Sequence, residues 1–284
     1  MPIKIGACLS HTNLDRIRAA RALGYDYIEV VLNALAAAPE AEAARFTEAL
    51  REAGLPCLTG NCFFPGDIKL VGPEADASRV SEYVHRLFGR LEPLGCDTLV
   101  LGSGGSRRIP DGTRPERAYE QFAQIIRDAV APHAVRFGKR IALEALRASE
   151  CNMLNTIKQG LSVVEAVNSP NVGLLLDIYH MYDCGDCPGG TDTDFSRVAD
   201  MAKLRGRVFH THVSCAVTRL IPQPGDASDV GGLYTGFGNL LAAAGYPVRG
   251  SDGRTAPTMS VEAGEKTDWA AESRAAVAML KGMY

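Results

Sequence analysis

The sequence predicts an α/β fold, a single (β/α)8 TIM barrel over residues 1–284. Three observations carry that prediction. Short β-branched and aliphatic runs alternate with amphipathic stretches from end to end. Repeated strand–helix units demand parallel strands, because right-handed crossovers pack each helix back onto the sheet. Eight such units fit a chain of 284 residues, the size of a closed barrel. An open doubly wound sheet would carry a glycine-rich nucleotide fingerprint after its first strand, and Ala7-Cys8-Leu9-Ser10-His11 supplies none.

The units follow in order. Ile3 to Leu9 reads as a strand, and Leu14 to Leu23 as a helix ending at Gly24. Tyr27 to Leu32 is followed by the helix Ala41 to Ala53, closed by Gly54. Glycine after a helical run reads as a C-cap, since the left-handed turn there costs it nothing. Leu55 to Gly60 leads through a Gly/Pro loop to the helix Ala75 to Leu94. Thr98 to Leu101 leads through a Gly-rich loop to the helix Pro115 to Phe137. Four further strands follow, Ile141 to Leu143, Val172 to Leu176, Val208-Phe209 and Met259 to Val261. Their helices are expected near Asn155 to Asn168, Asp194 to Leu204, Tyr234 to Ala244 and Asp268 to Lys281.

Composition narrows the function. The net charge is −3 and the basic residues are scattered, so no electrostatic footprint for nucleic acid or an anionic membrane exists. No apolar run approaches the roughly 20 residues that span a bilayer. The chain enters a strand at once rather than a signal peptide, which gives a cytoplasmic expectation. Eight cysteines are expected as reduced, mostly buried thiols. Cys184-Gly185-Asp186-Cys187 is a lone C-x-x-C with no second pair at zinc spacing, and reads as two thiols in a Gly-rich loop.

The chemistry lies at the strand ends. In barrels of this kind the C-terminal strand ends carry function. Here they present His11, Glu29, Asn61, Ser103, Glu144, Asp177, His212 and Glu262. Buried strands do not normally end in acids or imidazoles. One such acid alone would be read as a helix cap or an Arg partner. Three carboxylates and an imidazole together make a hard-to-borderline divalent cation site, from Glu144, Asp177, His212 and Glu262. His210 shares a strand face with His212 and is an alternative ligand or a supporting donor. Glu29 is expected either beside a substrate-bound residue such as His180 or in a structural hydrogen bond. Arg107-Arg108 reads as a solvated pair over a helix start, and Phe63, Phe64 and Trp269 as packing.

Several of these segments also resemble a known family. Glu144 with Glu150 and Leu154-Asn155-Thr156, then Asp177-Ile178-Tyr179-His180, His210-Thr211-His212 with Arg219, and Ser260-Val261-Glu262 resemble the ketose 3-epimerases of the tagatose/psicose group. Those enzymes belong to the xylose-isomerase-like barrels, and the resemblance covers nearly the whole chain. It implies one divalent cation, Mn²⁺ first, with Co²⁺ or Mg²⁺ as alternatives. It implies Glu144, Asp177, His212 and Glu262 as ligands, Glu144 and Glu262 as catalytic residues, and Glu150, His180 and Arg219 as sugar contacts. It also suggests a homodimer or homotetramer.

The implied chemistry explains the residue types. A proton beside a carbonyl is too weakly acidic for an unaided carboxylate, and a cation on the carbonyl and hydroxyl oxygens stabilises the enediolate. Two carboxylates then remove and return the proton. The expected function is therefore a metal-dependent sugar isomerase or epimerase, foremost a ketose 3-epimerase. Rivals with the same site are an aldose–ketose isomerase and a dehydratase or C-glycoside-cleaving lyase. More distant ones are an endonuclease-like hydrolase and a non-catalytic sugar-binding barrel. Two departures from the family bear on the choice. Ser214 stands where an acid is common, and the gap from His212 to Arg219 is one residue longer than usual. The segment Ile221 to Gly232 is long and rich in Gly, Pro and Asp, as a lid or an oligomer contact would be.

Overall fold

The structure, a computed structural model, describes residues 3–183, 198, 201–246 and 257–284. Eight strands form a closed parallel barrel: β1 (Lys4–Leu9), β2 (Tyr27–Val31), β3 (Cys57–Asn61), β4 (Thr98–Leu101), β5 (Arg140–Glu144), β6 (Val172–Asp177), β7 (Val208–Val213) and β8 (Thr258–Val261). Neighbours pair in chain order, and β8 closes on β1 through Lys4–Thr258 to Ala7–Val261. No helix among the described residues is long and apolar enough to cross a membrane.

Helix ends fall where the local chemistry stops or starts the backbone ladder. Gly24 and Gly54 adopt φ of 100° and 64°, and each caps its helix through its own N–H. Asp76 starts the helix Ala77–Leu91 by accepting from the amides of Ser78 and Arg79. Thr156 and Gln159 form a reciprocal capping box at the helix Ile157–Val167. The helix expected over Pro115 to Phe137 is broken into Pro115–Ile125, a π turn at Ile126–Val130 and Ala131–Arg136. Pro132 has no N–H to give and its ring crowds the preceding turn, so the ladder widens just before it. Of the helix expected over Asp194 to Leu204, the described part is Met201–Leu204. Cys184 and Cys187 lie outside the described residues, and the described cysteines, among them buried Cys57 and Cys96, are free thiols.

The apolar core divides in two. Outward-facing Leu99, Leu101, Ile141, Leu143, Leu174 and Leu176 join the helices in one large cluster. The alternate residues Val100, Ala142 and Leu175 form a separate small cluster with Phe209, inside the barrel. Beyond this plug the lumen is polar. Glu29, Thr59, His210, His212 and Ser260 are all buried there. Tyr27 lays its ring where a side chain on Gly6 would stand and hydrogen-bonds Ser260 at 2.7 Å.

Candidate metal centre

Glu144 ends β5, Asp177 ends β6, His212 lies in β7 directly opposite Asp177, and Glu262 follows β8. One ligand atom from each of the four lies within 4.8 Å of all the others. Glu144, Asp177 and His212 are buried, and Glu262 is half-buried. The inward pose of Glu144 depends on Gly102, because a Cβ there would stand 2.2 Å from Glu144 Oε2.

The imidazole of His212 is held from behind. Its Nε2 lies 2.9 Å from Glu29 Oε1, while the other Glu29 oxygen meets His210 Nε2 at 2.7 Å. Thr59 donates to the same Glu29 oxygen, and His210 Nδ1 meets Thr258 Oγ1 at 2.7 Å. With Nε2–H engaged by a carboxylate, His212 presents Nδ1 to the centre. That nitrogen lies 3.0 Å from Glu262 Oε2, 3.3 Å from Glu144 Oε1 and 3.8 Å from Asp177 Oδ2. Of the two histidines that share a face, His212 therefore joins the quartet and His210 supports it. Glu29 turns to this histidine pair rather than to His180.

Charge is unevenly distributed over the four. Burial raises the Glu144 carboxyl above the usual range, and the adjacent Glu262 charge adds to this, against the pull of His212. Burial alone would raise Asp177 and Glu262 too. Arg219 and His180 overcome it at Asp177, and His212 and Arg219 at Glu262, so both carboxyls lie below the usual range. Burial would likewise deprotonate His212, but Glu262, Glu29 and Glu144 surround it and hold its imidazolium to well above ordinary imidazole pH.

This donor set suits a divalent cation. His212 Nδ1 and Glu144 Oε1 are both buried, and although they stand 3.3 Å apart neither makes a well-aligned hydrogen bond. Orphaned buried polar atoms are costly unless something else satisfies them. Three carboxylates and one imidazole nitrogen provide hard-to-borderline donors.

Arg219, His180 and Glu150 stand beside the four. Arg219 Nη1 donates to Asp177 Oδ2 at 2.6 Å, and Nη2 pairs with Glu262 Oε2. His180 lies 3.7 Å from Asp177 and 3.8 Å from Glu144 through Nε2, and 3.7 Å from exposed Glu150 through Nδ1. Arg219 covers one side of the Tyr179 ring at 4.5 Å, and Arg147 stacks on that ring at 3.3 Å. The longer gap from His212 to Arg219 is taken up by a tight turn, in which the Arg219 amide bonds Cys215 O and Arg219 itself takes φ 60°. Ser214 is fully buried, and its Oγ has no hydrogen-bond partner. The segment from Ile221 is pinned down: Ser228 Oγ accepts from the Ala216 amide, and Gln223 donates to Glu272 O.

Other strand-end residues separate into three groups. Asn61 belongs to the site, donating to Glu262 Oε1 at 2.7 Å. Ser103 braces a loop by accepting from the Phe64 amide, and His11 faces Glu42 at 3.5 Å. Phe63 stacks on Phe64 and Phe88 as packing. Arg107 corrects the expectation of a solvated pair. The short helix Gly104–Arg107 turns it inward, fully buried, to donate to Glu144 O at 2.8 Å. Only Arg108 is exposed. Cys8, on β1, was not a candidate, yet its sulfur lies within 4.8 Å of ligand atoms of His212 and Glu262. Its proximity follows from the β8–β1 closure, which spacing along the chain does not show.

Known proteins share this architecture. L-ribulose 3-epimerase of Methylomonas sp. (strain DH-1) is 31% identical over 169 residues, 57% of this chain and 55% of that one. D-psicose 3-epimerase of Agrobacterium fabrum is 26% identical over 163 residues, 56% and 55% of the two chains. A ketose 3-epimerase of Arthrobacter globiformis is 44% identical over 52 residues, 18% of each. These matches thus span between 18% and 55% of the relatives' length. Among solved structures, a D-psicose 3-epimerase in the presence of D-fructose superposes with a TM-score of 0.76 at 18% identity, covering 99% of both chains. The 3-keto-D-glucoside 4-epimerase of E. coli gives 0.70 at 19% identity, again over 99% of both. At such identities the likeness concerns the fold. The xylose isomerase-like TIM barrel profile matches residues 17–247. With a barrel closed strand by strand and that profile over most of its length, the chain belongs to the xylose isomerase-like TIM barrel family.

Proposed function

We propose that the chain is a divalent-cation-dependent sugar epimerase, foremost a ketose 3-epimerase. The observation that carries this reading is the pair Glu144 and Glu262. Both face the buried His212 Nδ1, at 3.3 Å and 3.0 Å, from strands on either side of the lumen. Two carboxyls placed at one centre are what removal and return of a proton require.

Glu144, Asp177, His212 and Glu262 would hold the cation. When bound, it would polarise the carbonyl and adjacent hydroxyl of a ketose and stabilise the developing enediolate. The protein's part is proton traffic and placement. Glu262, paired with the Arg219 guanidinium, takes the proton from the carbon beside the carbonyl. Glu144, on the other side of the centre, returns one to that carbon. The roles exchange in the reverse direction. Asn61 steadies Glu262 by donating to its second oxygen. Glu150, His180 and Arg219 contact sugar hydroxyls at the rim. The ring of Tyr179 holds the Arg219 guanidinium in place from one side.

Incubation with free ketoses in D₂O, followed by NMR, tests this. The expected result is the C3 epimer, with deuterium at C3 of substrate and product. No deuterium at C3 of any ketose overturns it. One observation favours a second reading, a dehydratase or lyase on a keto sugar. Ser214 places a neutral hydroxyl at a buried position where an acid is common, so the pocket differs from the epimerases there. Spectra taken with a keto sugar or its glycoside then show loss of water or of the aglycone instead of an epimer.

A further inference from the structure

Cys8 is a potential ligand at this centre that the proposed reaction leaves unused. It lies on β1, pairs in register with Glu29 on β2, and is half-buried. Its sulfur, a nitrogen of His212 and a carboxylate oxygen of Glu262 lie within 4.8 Å of one another. This cluster is distinct from the four-residue set, although it shares His212 and Glu262. A cysteine alone would carry no site. Here a second observation points to a ligand, because His212 is fully buried and its Nδ1, 3.0 Å from Glu262 Oε2, makes no well-aligned hydrogen bond.

Ligand softness separates the two sets. Glu144, Asp177, His212 and Glu262 offer oxygen and one nitrogen, which suit Mn²⁺ or Mg²⁺. Replacing two of those carboxylates by a thiolate gives a sulfur, nitrogen and oxygen set, which suits thiophilic ions. We propose that Cys8, His212 and Glu262 form an alternative cation position that takes thiophilic divalent ions such as Cd²⁺ or Zn²⁺. As the sulfur–cation bond forms, the thiol proton passes to solvent. An ion held there occupies two of the four donors of the first set, so the two positions cannot be filled together. Thiophilic ions therefore displace the harder ion by competition rather than by unfolding the chain. The inference holds whatever sugar chemistry the barrel performs.

The test uses Cd²⁺ as the probe, on the full chain stripped of metal. Wild-type protein should show the ultraviolet thiolate-to-cadmium charge-transfer band over the first equivalent of Cd²⁺. Cadmium-113 NMR of the same sample should show a resonance shifted downfield by sulfur ligation. Cys8→Ser should lose the band and bind Cd²⁺ about tenfold or more weakly, a free-energy change expected for a lost soft ligand. The same variant should hold Mn²⁺, followed by its EPR signal, within about threefold of wild type, since all four hard donors remain. In wild type, Cd²⁺ should expel bound Mn²⁺ one for one. The double variant Cys184→Ser/Cys187→Ser should keep the band. In the variants, three results would overturn the proposal: an unchanged band in Cys8→Ser, loss of the band in the double variant, or equal weakening of Cd²⁺ and Mn²⁺ by Cys8→Ser. A cadmium resonance in wild type without sulfur ligation overturns it even if Cys8→Ser fails to fold.

Discussion

The layer between sheet and helices and the lumen inside the same sheet are built from the same eight strands by opposite rules. Outward-facing residues such as Leu99, Leu101, Ile141, Leu143, Leu174 and Leu176 enter one continuous apolar core. Their alternate neighbours enclose a small apolar plug, beyond which Glu29, His210, His212, Asp177 and Glu144 are buried. The shell gains stability by removing apolar surface from water. The lumen pays desolvation for charged groups and recovers it only through hydrogen bonds and ion pairs. Strand alternation lets one backbone serve both ends. It predicts that substitutions in the shell change stability and leave the site alone, while substitutions in the lumen do the reverse.

The sharpest break should come from the proton-moving pair. Glu262→Gln and Glu144→Gln should each lower kcat by about 10²–10⁴-fold, the range for a lost general acid or base. Their thermal unfolding should stay close to that of wild type. Comparable inactivation caused by unfolding would merge the two regions and defeat the comparison.

In the shell, Phe46 and Phe122 are fully buried. Phe46→Ala or Phe122→Ala should cost about 3–5 kcal/mol in denaturant unfolding. The surviving folded fraction should bind Mn²⁺ with wild-type affinity.

Glu29 sharpens the comparison, because it touches no substrate in this scheme and acts through His212. Glu29→Gln should weaken Mn²⁺ binding about 10–100-fold, as loss of a carboxylate behind a metal-bound histidine does. It should also change the visible spectrum of the Co²⁺ form, which a distant structural change would not.

The smallest effect is a proton count. In the cation-free protein the His212 pKa is raised, so its imidazolium contributes stability below the ordinary imidazole range. That contribution is lost as pH rises through the raised folded value. Cation binding needs Nδ1 without its proton. Calorimetry of Mn²⁺ uptake near neutral pH, in buffers of different ionisation enthalpy, should therefore show release of about one proton. Affinity should rise with pH. No proton release would mean that His212 is already neutral.

Much of this was legible in the chain, and the gaps have physical causes. The eight units follow from period alone, and the quartet from acids and an imidazole at the ends of apolar runs. Parity alone could not choose between His210 and His212. Two residues along a strand are about 6.6 Å apart, so the pair occupies different depths of one face. Only the register of β7 against β6 sets His212 level with Asp177. Arg107 was misjudged because a helix of four residues, Gly104–Arg107, has too little periodicity to show its inner side. Gly102 and Cys8 matter through contacts made across neighbouring strands and the closing seam, and no local pattern reports those. The break before Ala131 was readable from Pro132.

The central claim is that the lumen quartet is a cation site. Titration of Mn²⁺ into metal-stripped wild-type protein and into Asp177→Asn, followed by EPR, tests it most directly. The account predicts one bound Mn²⁺ per chain in wild type and affinity at least about tenfold weaker in the variant. No saturable Mn²⁺ site in wild type, or an unchanged one in Asp177→Asn, would contradict it.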